Sequence, residues 1–589
     1  MKDFVKMTLA VVCGLFIMGI IGFFMFFGFI GAVASLGNST PVMPREGVLL
    51  MDMSKSAMAE QSSEMDPMAA IQGDDTRKVG IWDAVRAINA AESDPAVKYI
   101  FMKTDGLTAG LAQTEELRQA LSDFRKSGKA VISYIENPTT GSYYLASVAD
   151  KVFMGNYKGG NGMMTGVGTQ LIFLKDLLDK LGVNVQLIRH GKYKSAGEMY
   201  VRSQASEENL EQNREMVSSI WKNLASKICE SREITEEQLD RAIDNLELCS
   251  PEDFLNHSLV DELLSRQELG EKLAAFAVKD RYSDVSFINF ADYATVKSSE
   301  ISSAKKKIAV IFADGEIVDG DKRQNVAGDR FASIIAKVRA DSTTKAVVLR
   351  VASPGGSVLA SEKIKAEIDL LRKDKPVIAS YGDYAASGGY WISNSCDKIF
   401  SDPSTLTGSI GVFSMIPEFS KTAKNVFHVN ISTVGSHKHS DMYSLMRPFD
   451  ADERAYMQKS VETIYEAFLE NVSEGRGMST ESVDEIAQGR VWTGSDALKI
   501  GLVDEIGTLS DAVRYAAACA GDDDIDSWNV ESLPRPLTTL ELIMESISGS
   551  SEEVLAGTPF ENVAKVYRDW SSHATAGVFA RMPYIVTVD

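Results

Sequence analysis

The chain has 589 residues, which is more than one hydrophobic core usually accommodates, so two or more domains are expected. Hydrophobic residues make up 44% of the chain and charged residues 24%, which is ordinary for a globular protein. The formal net charge of −21 argues against nucleic acid as a partner, because phosphate binding needs a basic surface.

An uncharged, largely apolar segment lies near the start of the chain. Residues 7–44 contain no charged side chain, and residues 9–36 are almost wholly apolar. About 20 helical residues span a bilayer core, so this run is long enough for a transmembrane helix. The sequence AVA at 32–34 resembles a signal-peptidase site, but cleavable apolar segments are only about 7 to 15 residues long, which favours an uncleaved anchor. Lys2 and Lys6 should stay in the cytoplasm, which places the rest of the chain outside the cytoplasmic membrane.

Two long stretches of the chain repeat one another. Residues 97–134 and 345–381 both read as a strand, a glycine-containing turn, a helix, a short basic turn and a second strand. The parallel continues further along both copies, pairing 140–153 with 387–400 and 258–263 with 501–506. Strand–helix–strand order at this spacing indicates parallel sheets covered by helices, and hence an α/β fold.

The duplication predicts four parts of the chain. They are a cytoplasmic tip and anchor at 1–44, a first repeat at 45–300, a second repeat at 301–520 and a C-terminal extension at 521–589. The extension begins with the acidic sequence GDDDID and matches no recognisable pattern. It could pack on the body or reach a partner.

The two copies differ where glycine and polar residues cluster. The second copy has TLTGSIGVF at 405–413, in which Ser409 lies opposite Val167 of the first copy. It also has ASPGGS, with Gly355 and Gly356, where the first copy has TDGLTAG. Serine and glycine are common turn residues, but a purely structural serine would be expected about as often in either copy. A lone hydroxyl and a Gly-Gly turn in the same copy therefore favour a serine nucleophile.

A serine nucleophile needs hydrogen-bond donors for the oxyanion. Gly355 and Gly356 lie between a predicted strand and a helix beginning near Ser357, where exposed N–H groups attract negative charge and glycine admits close approach. A simple strand-to-helix turn is the alternative. A second pair, Gly388 and Gly389, opens another predicted helix and could shape the same pocket.

The nucleophile also needs a base, and the residues alone leave two candidates open. His428 lies 19 residues after Ser409, in VFHVNIS, a strand-like alternation where a half-buried histidine needs no special role. Lys194 lies in GKYKSAGE, a polar turn ahead of a helical segment from Ser206. Lowering a lysine pKa from about 10.4 to about 7 takes roughly 4 to 5 kcal/mol, which burial can supply. Taken alone, Lys194 reads as a solvated surface lysine.

Metal-ligand patterns are weak. His437 and His439 form HKH, which could ligate a metal from a strand, but no second ligand cluster is evident. The cysteines lack CxxC spacing and indicate neither a zinc site nor a disulfide framework; they are Cys13, Cys229, Cys249, Cys396 and Cys519.

Five motifs occur in one order across the two repeats. They are GKYKSAGE, SPGGS, DYAASGGYW (383–391), TLTGSIGVF and GRVWTGSDALKIGLVDEIG (489–507). Together they resemble the signal peptide peptidase A family in its long, internally duplicated form. The resemblance covers about residues 45 to 520 together with the N-terminal anchor.

The resemblance implies a serine protease of the Clp/crotonase superfamily that uses a Ser-Lys dyad. The family's nucleophile falls on Ser409, its general base on Lys194 and its oxyanion turn on Gly355 and Gly356. Long-form members assemble as bowl-like homotetramers, anchored by one helix in the bacterial inner membrane with the body on the periplasmic side. They degrade signal peptides left after secretion, and no metal or organic cofactor is required. Signal peptides and other unfolded apolar peptides are therefore the expected substrates, in an apolar groove.

The resemblance also brings in a rival base. Lys438 falls opposite Lys194 when 191–198 and 435–442 are aligned without gaps, and short-form relatives carry both dyad members in one repeat. The surroundings of Lys194 match the long-form motif and those of Lys438 do not. Three other classes stay open: a crotonase-like acyl-CoA enzyme, a triad hydrolase using His428, and a non-catalytic membrane scaffold.

Overall fold

The computed structural model describes residues 43–63, 76–160, 164–300, 304–323, 325–536 and 578–582, with the isolated positions 6, 8, 14, 16–21, 41, 74, 162 and 541. The predicted transmembrane segment lies mostly outside these residues. Within the described residues, no helix combines the length and the apolar character needed to cross a bilayer.

The elements of the first repeat run from residue 47 to residue 299. Its strands are β1 (Gly47–Asp52), β2 (Ser56–Ala59), β3 (Arg77–Gly80), β4 (Val97–Lys103), β5 (Val131–Ile135), β6 (Lys151–Gly155), β7 (Asn184–His190), β8 (Glu262–Leu264) and β9 (Phe287–Asn289). Its α-helices are α1 (Ile81–Ser93), α2 (Leu111–Arg125), α3 (Thr140–Ala146), α4 (Lys175–Leu181), α5 (Glu198–Val201), α6 (Glu207–Arg232), α7 (Glu236–Asp244), α8 (Pro251–Asn256), α9 (Arg266–Phe276) and α10 (Phe290–Ser299).

The remaining elements run from residue 307 to residue 581. The strands are β10 (Lys307–Asp314), β11 (Ile317–Val318), β12 (Val326–Ala327), β13 (Thr344–Ser353), β14 (Gly355–Ser357), β15 (Val377–Ala386), β16 (Lys398–Ser401), β17 (Leu406–Gly408), β18 (Val412–Glu418), β19 (Val491–Thr493), β20 (Glu505–Ile506), β21 (Asn529–Leu533) and β22 (Val578–Arg581). The α-helices are α11 (Gly328–Ala340), α12 (Val358–Arg372), α13 (Gly388–Ser393), α14 (Ser420–Asn425), α15 (Ala451–Arg476), α16 (Thr480–Ile486), α17 (Gly494–Lys499) and α18 (Leu509–Cys519).

Each repeat is built on a largely parallel sheet. The first has the order β8-β6-β5-β4-β1-β9, and all its neighbouring strands are parallel. The second has the order β19-β17-β15-β13-β10-β21; β16 also pairs with β15, and β20 pairs with β16. Strands such as β5 and β13 are almost continuously buried, as expected of parallel strands covered by helices on both faces. The predicted α/β fold and the duplication are confirmed.

Equivalent contacts recur in both copies. Asp150 accepts a hydrogen bond from the N–H of Val131, and Asp397 accepts the same bond from Val377, at 2.9 and 2.8 Å. In each copy the carboxylate that follows the short helix therefore holds the start of the neighbouring strand. The repetition in the sequence thus reflects a repetition of tertiary contacts.

The second repeat extends beyond residue 520. Strand β21 pairs in parallel with β10, just as β9 pairs with β1 in the first repeat. The described start of the C-terminal extension therefore completes the edge of the second sheet.

A third sheet combines strands from both repeats and from the C-terminal segment. Its order is β12-β11-β14-β22-β18-β7. Strand β7 of the first repeat is antiparallel to β18 of the second, from Val412 opposite His190 to Glu418 opposite Asn184. The turn that follows β7, which contains Lys194, is thereby placed against the second repeat.

A buried ionic cluster also joins the repeats. Arg350 is fully buried on β13, and its guanidinium lies 2.7 Å from a carboxylate oxygen of Glu60 and 2.7 Å from one of Glu116. Both acids belong to the first repeat and Arg350 to the second, so these ion pairs connect the two repeats. Breaking such a pair by removing one partner is strongly destabilising, because a charge is left buried without compensation.

Candidate active site

Ser409 lies directly after β17, at the carboxyl end of a strand in the second sheet. Its φ angle of +49° is in the left-handed region, which residues with a side chain rarely adopt. Its N–H donates to the Arg490 carbonyl at 2.7 Å, and its side chain is fully buried. Ligands of α/β sheets bind beyond the carboxyl ends of the strands, so this position suits a reacting group.

Lys194 meets Ser409 from the first repeat. The turn after β7 brings its Nζ to 3.0 Å from Ser409 Oγ and 3.0 Å from the Ser409 carbonyl oxygen. Its Nζ also donates to Ser387 Oγ at 2.8 Å. The amine and the hydroxyl singled out in the sequence are therefore in direct contact within one chain.

The environment of Lys194 favours the neutral amine. Its side chain is fully buried, and burial lowers the pKa of Lys194 well below its usual value, because the charged ammonium loses its hydration. A neutral amine can accept a proton from a hydroxyl at hydrogen-bond distance. Whenever the amine is neutral, the arrangement can thus generate a serine alkoxide.

The backbone around Lys194 is held by close contacts. Gly489 has φ +79°, and a Cβ atom there would lie 2.7 Å from both Cα and N of Lys194. Arg189 donates to the Lys194 carbonyl oxygen at 2.7 Å and pairs with Glu198 at 3.2 Å. The motif beginning at Gly489 therefore packs directly on the lysine turn, although the two are far apart in sequence.

Ser387 was missed by sequence reasoning. It follows β15, whose last residue, Ala386, pairs with Gly408, the residue before Ser409. Two neighbouring parallel strands thus end side by side, each followed by a serine that contacts Lys194. Ser387 directly precedes the Gly388-Gly389 pair, but the first copy also carries a hydroxyl there, in Thr140, so comparing the copies could not select it.

The Gly355-Gly356 turn forms the short strand β14 beside the site. Helix α12 begins after Ser357, as expected, and the side chain of Ser357 accepts from the Ala360 N–H. Gly355 and Gly356 have φ angles of +99° and +157°, and the Gly355 N–H donates to Ser353 Oγ at 3.2 Å. A Cβ at Gly388 would lie 3.1 Å from Gly355 Cα, so the two glycine pairs share one wall.

The other candidate bases lie on the surface. The ammonium of Lys438 forms an ion pair with Asp452, and the hydrogen bond to that carboxylate raises the pKa of Lys438. His428 is exposed in a segment without strand structure, which differs from the alternation predicted there.

The HKH segment, considered above as a possible metal-ligand pair, is likewise not on a strand. Its His439 contacts Glu453 at 3.0 Å.

Comparison with known proteins agrees with the duplication. The family model described as "Peptidase family S49" matches residues 123–279 and 369–521, one segment in each repeat. The chain is 34% identical over 562 residues to Protease 4 of Haemophilus influenzae, covering 91% of this chain and 90% of that protein. It is 34% identical over 552 residues to Protease 4 of Salmonella typhi, with 89% and 86% coverage. It is 30% identical over 468 residues to the chloroplastic serine protease SPPA of Arabidopsis thaliana, with 78% and 68% coverage.

Proposed function

The chain belongs to peptidase family S49 and is a serine peptidase, and we propose that it cleaves peptides with a Ser-Lys dyad formed by Ser409 and Lys194. One observation carries this proposal: a fully buried lysine amine lies 3.0 Å from the Oγ of a fully buried serine. A hydroxyl and a base within hydrogen-bond reach are what nucleophilic catalysis requires.

Acylation would begin with proton transfer within the dyad. The neutral Lys194 amine takes the proton of Ser409 Oγ, and the oxygen attacks the carbonyl carbon of the scissile peptide bond. The C–N bond then breaks, and the Lys194 ammonium donates its proton to the leaving nitrogen. The products are a free amine and a serine ester.

Deacylation would repeat the sequence with water. Lys194, neutral again, takes a proton from a water molecule that attacks the ester carbonyl. The Ser409–acyl bond breaks, the serine oxygen recovers the proton from the lysine, and the carboxylic acid product leaves. Ser387, which accepts a hydrogen bond from Nζ at 2.8 Å, would keep the amine aimed at the reacting oxygen through both steps.

The oxyanion would be held by backbone N–H groups of the Gly355-Gly356 turn. This turn borders the site, and its positive φ angles direct the backbone in a way that a residue with a side chain would resist. The Gly355 N–H now donates to Ser353 Oγ, a hydroxyl that a developing oxyanion can replace.

The substrates would be apolar peptides in extended conformation, including signal peptides left after secretion. Ser409 is fully buried, so a folded protein cannot present a peptide bond to it. The family resemblance supports signal peptides as substrates and a homotetramer as the assembly. The uncharged run at 7–44 supports a single membrane anchor, with the body on the periplasmic side of the bacterial inner membrane.

The central test compares three variants of the full chain in detergent on one fluorescence-quenched apolar peptide. Ser409→Ala and Lys194→Ala should each lower kcat/KM by at least about a thousandfold, because the dyad acts as a unit. Lys438→Ala, the matched surface lysine, should keep wild-type activity. Full activity in Ser409→Ala would refute the proposed nucleophile. Full activity in Lys194→Ala would move the base elsewhere, and His428→Gln would then test the triad alternative.

A further inference from the structure

The C-terminal strand β22 lies beside the proposed active site. It is the central strand between β14, which contains Gly355 and Gly356, and β18, which begins three residues after Ser409. It is antiparallel to both neighbours, with Gly355 opposite Arg581 on one side and Ser414 opposite Val578 on the other. The slot between the glycine turn and the strand after the nucleophile is therefore one strand wide, and the chain's own segment fills it.

The register directs this strand toward the nucleophile. Phe413 lies opposite Phe579 and Ser414 opposite Val578, so later residues of β22 lie against earlier residues of the Ser409 segment. The Met582 N–H donates to the Pro354 carbonyl at 2.7 Å, which extends the pairing beyond β22 itself. The strand thus runs along the site in an extended conformation, paired on both sides.

The carbonyl of Ala580 touches the proposed oxyanion wall. A Cβ atom at Gly355 would lie 2.1 Å from this oxygen, and one at Gly388 would lie 3.1 Å from it. A side chain at Gly355 would therefore exclude the strand. The absence of a side chain at both glycines makes room for the backbone of a peptide in this slot.

The described side chains of β22 alternate between two environments. Ala580 is fully buried and Met582 is 3% exposed, whereas Arg581, between them, lies 3.6 Å from a carboxylate oxygen of Glu316. A small and an apolar side chain thus fill the protein-facing positions. This alternation matches the apolar peptides proposed as substrates.

We propose that residues 578–582 are a built-in occupant of the peptide-binding groove, which a substrate must displace before it can reach Ser409. Adding a strand to exposed sheet edges is a general way of binding extended peptides, and β14 and β18 would offer such edges once β22 leaves. Because the occupant belongs to the same chain, it competes at a strength that does not depend on protein concentration. This inference rests on the proposed Ser409–Lys194 site.

Two changes, one a substitution and one a truncation, should open the groove. Ala580→Asp places a charge in a fully buried apolar position, and a stop after residue 577 removes the strand. If β22 occupies the groove in about nine of ten molecules, only one molecule in ten can bind substrate, and the apparent KM is about tenfold higher than that of the open groove. Both changes should therefore lower KM for a short apolar peptide by about tenfold. Arg581→Lys keeps the charge facing Glu316 and should behave as wild type.

A synthetic peptide provides the reciprocal measurement. The sequence ATAGVFARM, residues 574–582, should inhibit the truncated protein competitively, raising KM without changing kcat. The same peptide with Asp in place of Ala580 should not inhibit. Unchanged or lower activity of both folded variants, with no inhibition by the peptide, would show that β22 is a permanent part of the site and would overturn the proposal.

Hydrogen exchange tests the same point without a variant that disturbs the strand. In Ser409→Ala protein, saturation with an apolar peptide rich in Leu, Ala and Val should accelerate amide exchange at 578–582. Unchanged protection there, with the peptide bound, would overturn the displacement. Activity remaining in Ser409→Ala would instead refute the proposed nucleophile, so the two failures are distinguishable.

Discussion

Lys194 Nζ of the first repeat lies 3.0 Å from Ser409 Oγ of the second, although 215 residues separate them along the chain. The contact exists because β7 crosses to pair with β18, which directs the turn after His190 toward the nucleophile. Each repeat supplies one half of the proposed dyad. Among the residues that the structure describes, the duplicated chain thus has one such site where its symmetry would suggest two.

The pH dependence of hydrolysis should follow the ionisation of Lys194. Only the neutral amine can accept the Ser409 proton, and burial lowers the pKa of Lys194 well below its usual value. We therefore expect kcat/KM to rise with pH through this lowered pKa, and activity to be lost in acid. The measurement is a profile between about pH 5 and about pH 10 on one peptide. Lys194→Arg, which stays charged, should be inactive throughout; activity there at any pH would contradict the assignment.

Removing the buried amine should stabilise the protein. Below the usual lysine pKa of about 10.4, the unfolded chain binds a proton that the folded chain, with its lowered Lys194 pKa, binds less readily. Stability therefore rises with pH over this window, and Lys194→Met should abolish that dependence. We expect the midpoint of thermal unfolding to rise by at least about 2 °C near neutral pH and by less near pH 10. Lys438→Met, at an exposed position, should have little effect at either pH.

Ser387 should act as a positioning residue. Its Oγ accepts a hydrogen bond from Lys194 Nζ, which both aims the amine and favours the ammonium form. Ser387→Ala should lower kcat by about tenfold to a hundredfold with little change in KM, and should shift the rise of the pH profile to lower pH. Ser387→Gly is the matched variant, because φ at this position is +56° and glycine carries no strain there. Ser387→Gly also lacks the hydroxyl, so wild-type activity in that variant would contradict the positioning role of Ser387.

Gly489 should be required for the placement of Lys194. A Cβ atom at this position would lie 2.5 Å from Lys194 Cβ, whereas one at Gly501, which has the same φ of +79°, meets no atom within 4 Å. Both alanine variants carry about 1–2 kcal/mol of left-handed strain. Only Gly489→Ala should lower kcat/KM, by about a hundredfold, since a displacement of about 1 Å can have that effect. Equal losses in the two variants would mean that strain alone is responsible.

Glu115 should make the junction between the repeats sensitive to pH. Its carboxylate accepts hydrogen bonds from Ser404 Oγ and N–H at 2.6 and 3.1 Å, and burial raises the pKa of Glu115 to about 7. The folded state therefore binds more protons than the unfolded state between about pH 4 and about pH 7, and stability falls as pH rises through this window. Above pH 7, Glu115→Gln should increase the free energy of unfolding by up to about 3 kcal/mol and raise the midpoint of thermal unfolding accordingly. Below pH 4 it should change both little.

An acid whose pKa is shifted in the other direction provides the control for this prediction. Arg447 donates to the Glu453 carboxylate at 2.7 Å, and this hydrogen bond lowers the pKa of Glu453 to about 2. A lowered pKa means that the carboxylate stabilises the fold at neutral pH, so Glu453→Gln should lower the unfolding midpoint there, opposite to Glu115→Gln. Stabilisation by both variants, or by neither, would contradict the assigned shifts.

Local patterns in the sequence were enough to predict the duplicated α/β architecture. Alternation, helical spacing and glycine-bearing turns recur in 97–134 and 345–381, and the strands and helices formed there follow them. The contrast between the copies also selected Ser409, because a difference between duplicates is visible without knowing the fold. The motif containing Lys194 was recognisable by its resemblance to a family, but not by its chemistry alone.

Only the tertiary structure decided the surroundings of that lysine. The sequence around Lys194 is polar and reads as exposed, yet pairing of β7 with β18 and the close approach of Gly489 bury it completely. The contact with Ser387 and the position of β22 are equally invisible to local patterns. Pairing between distant strands depends on which edges the folded sheets leave open, and burial of a single amine depends on everything packed around it. Neither the strand pairing nor the burial can be read from the residues adjacent in sequence.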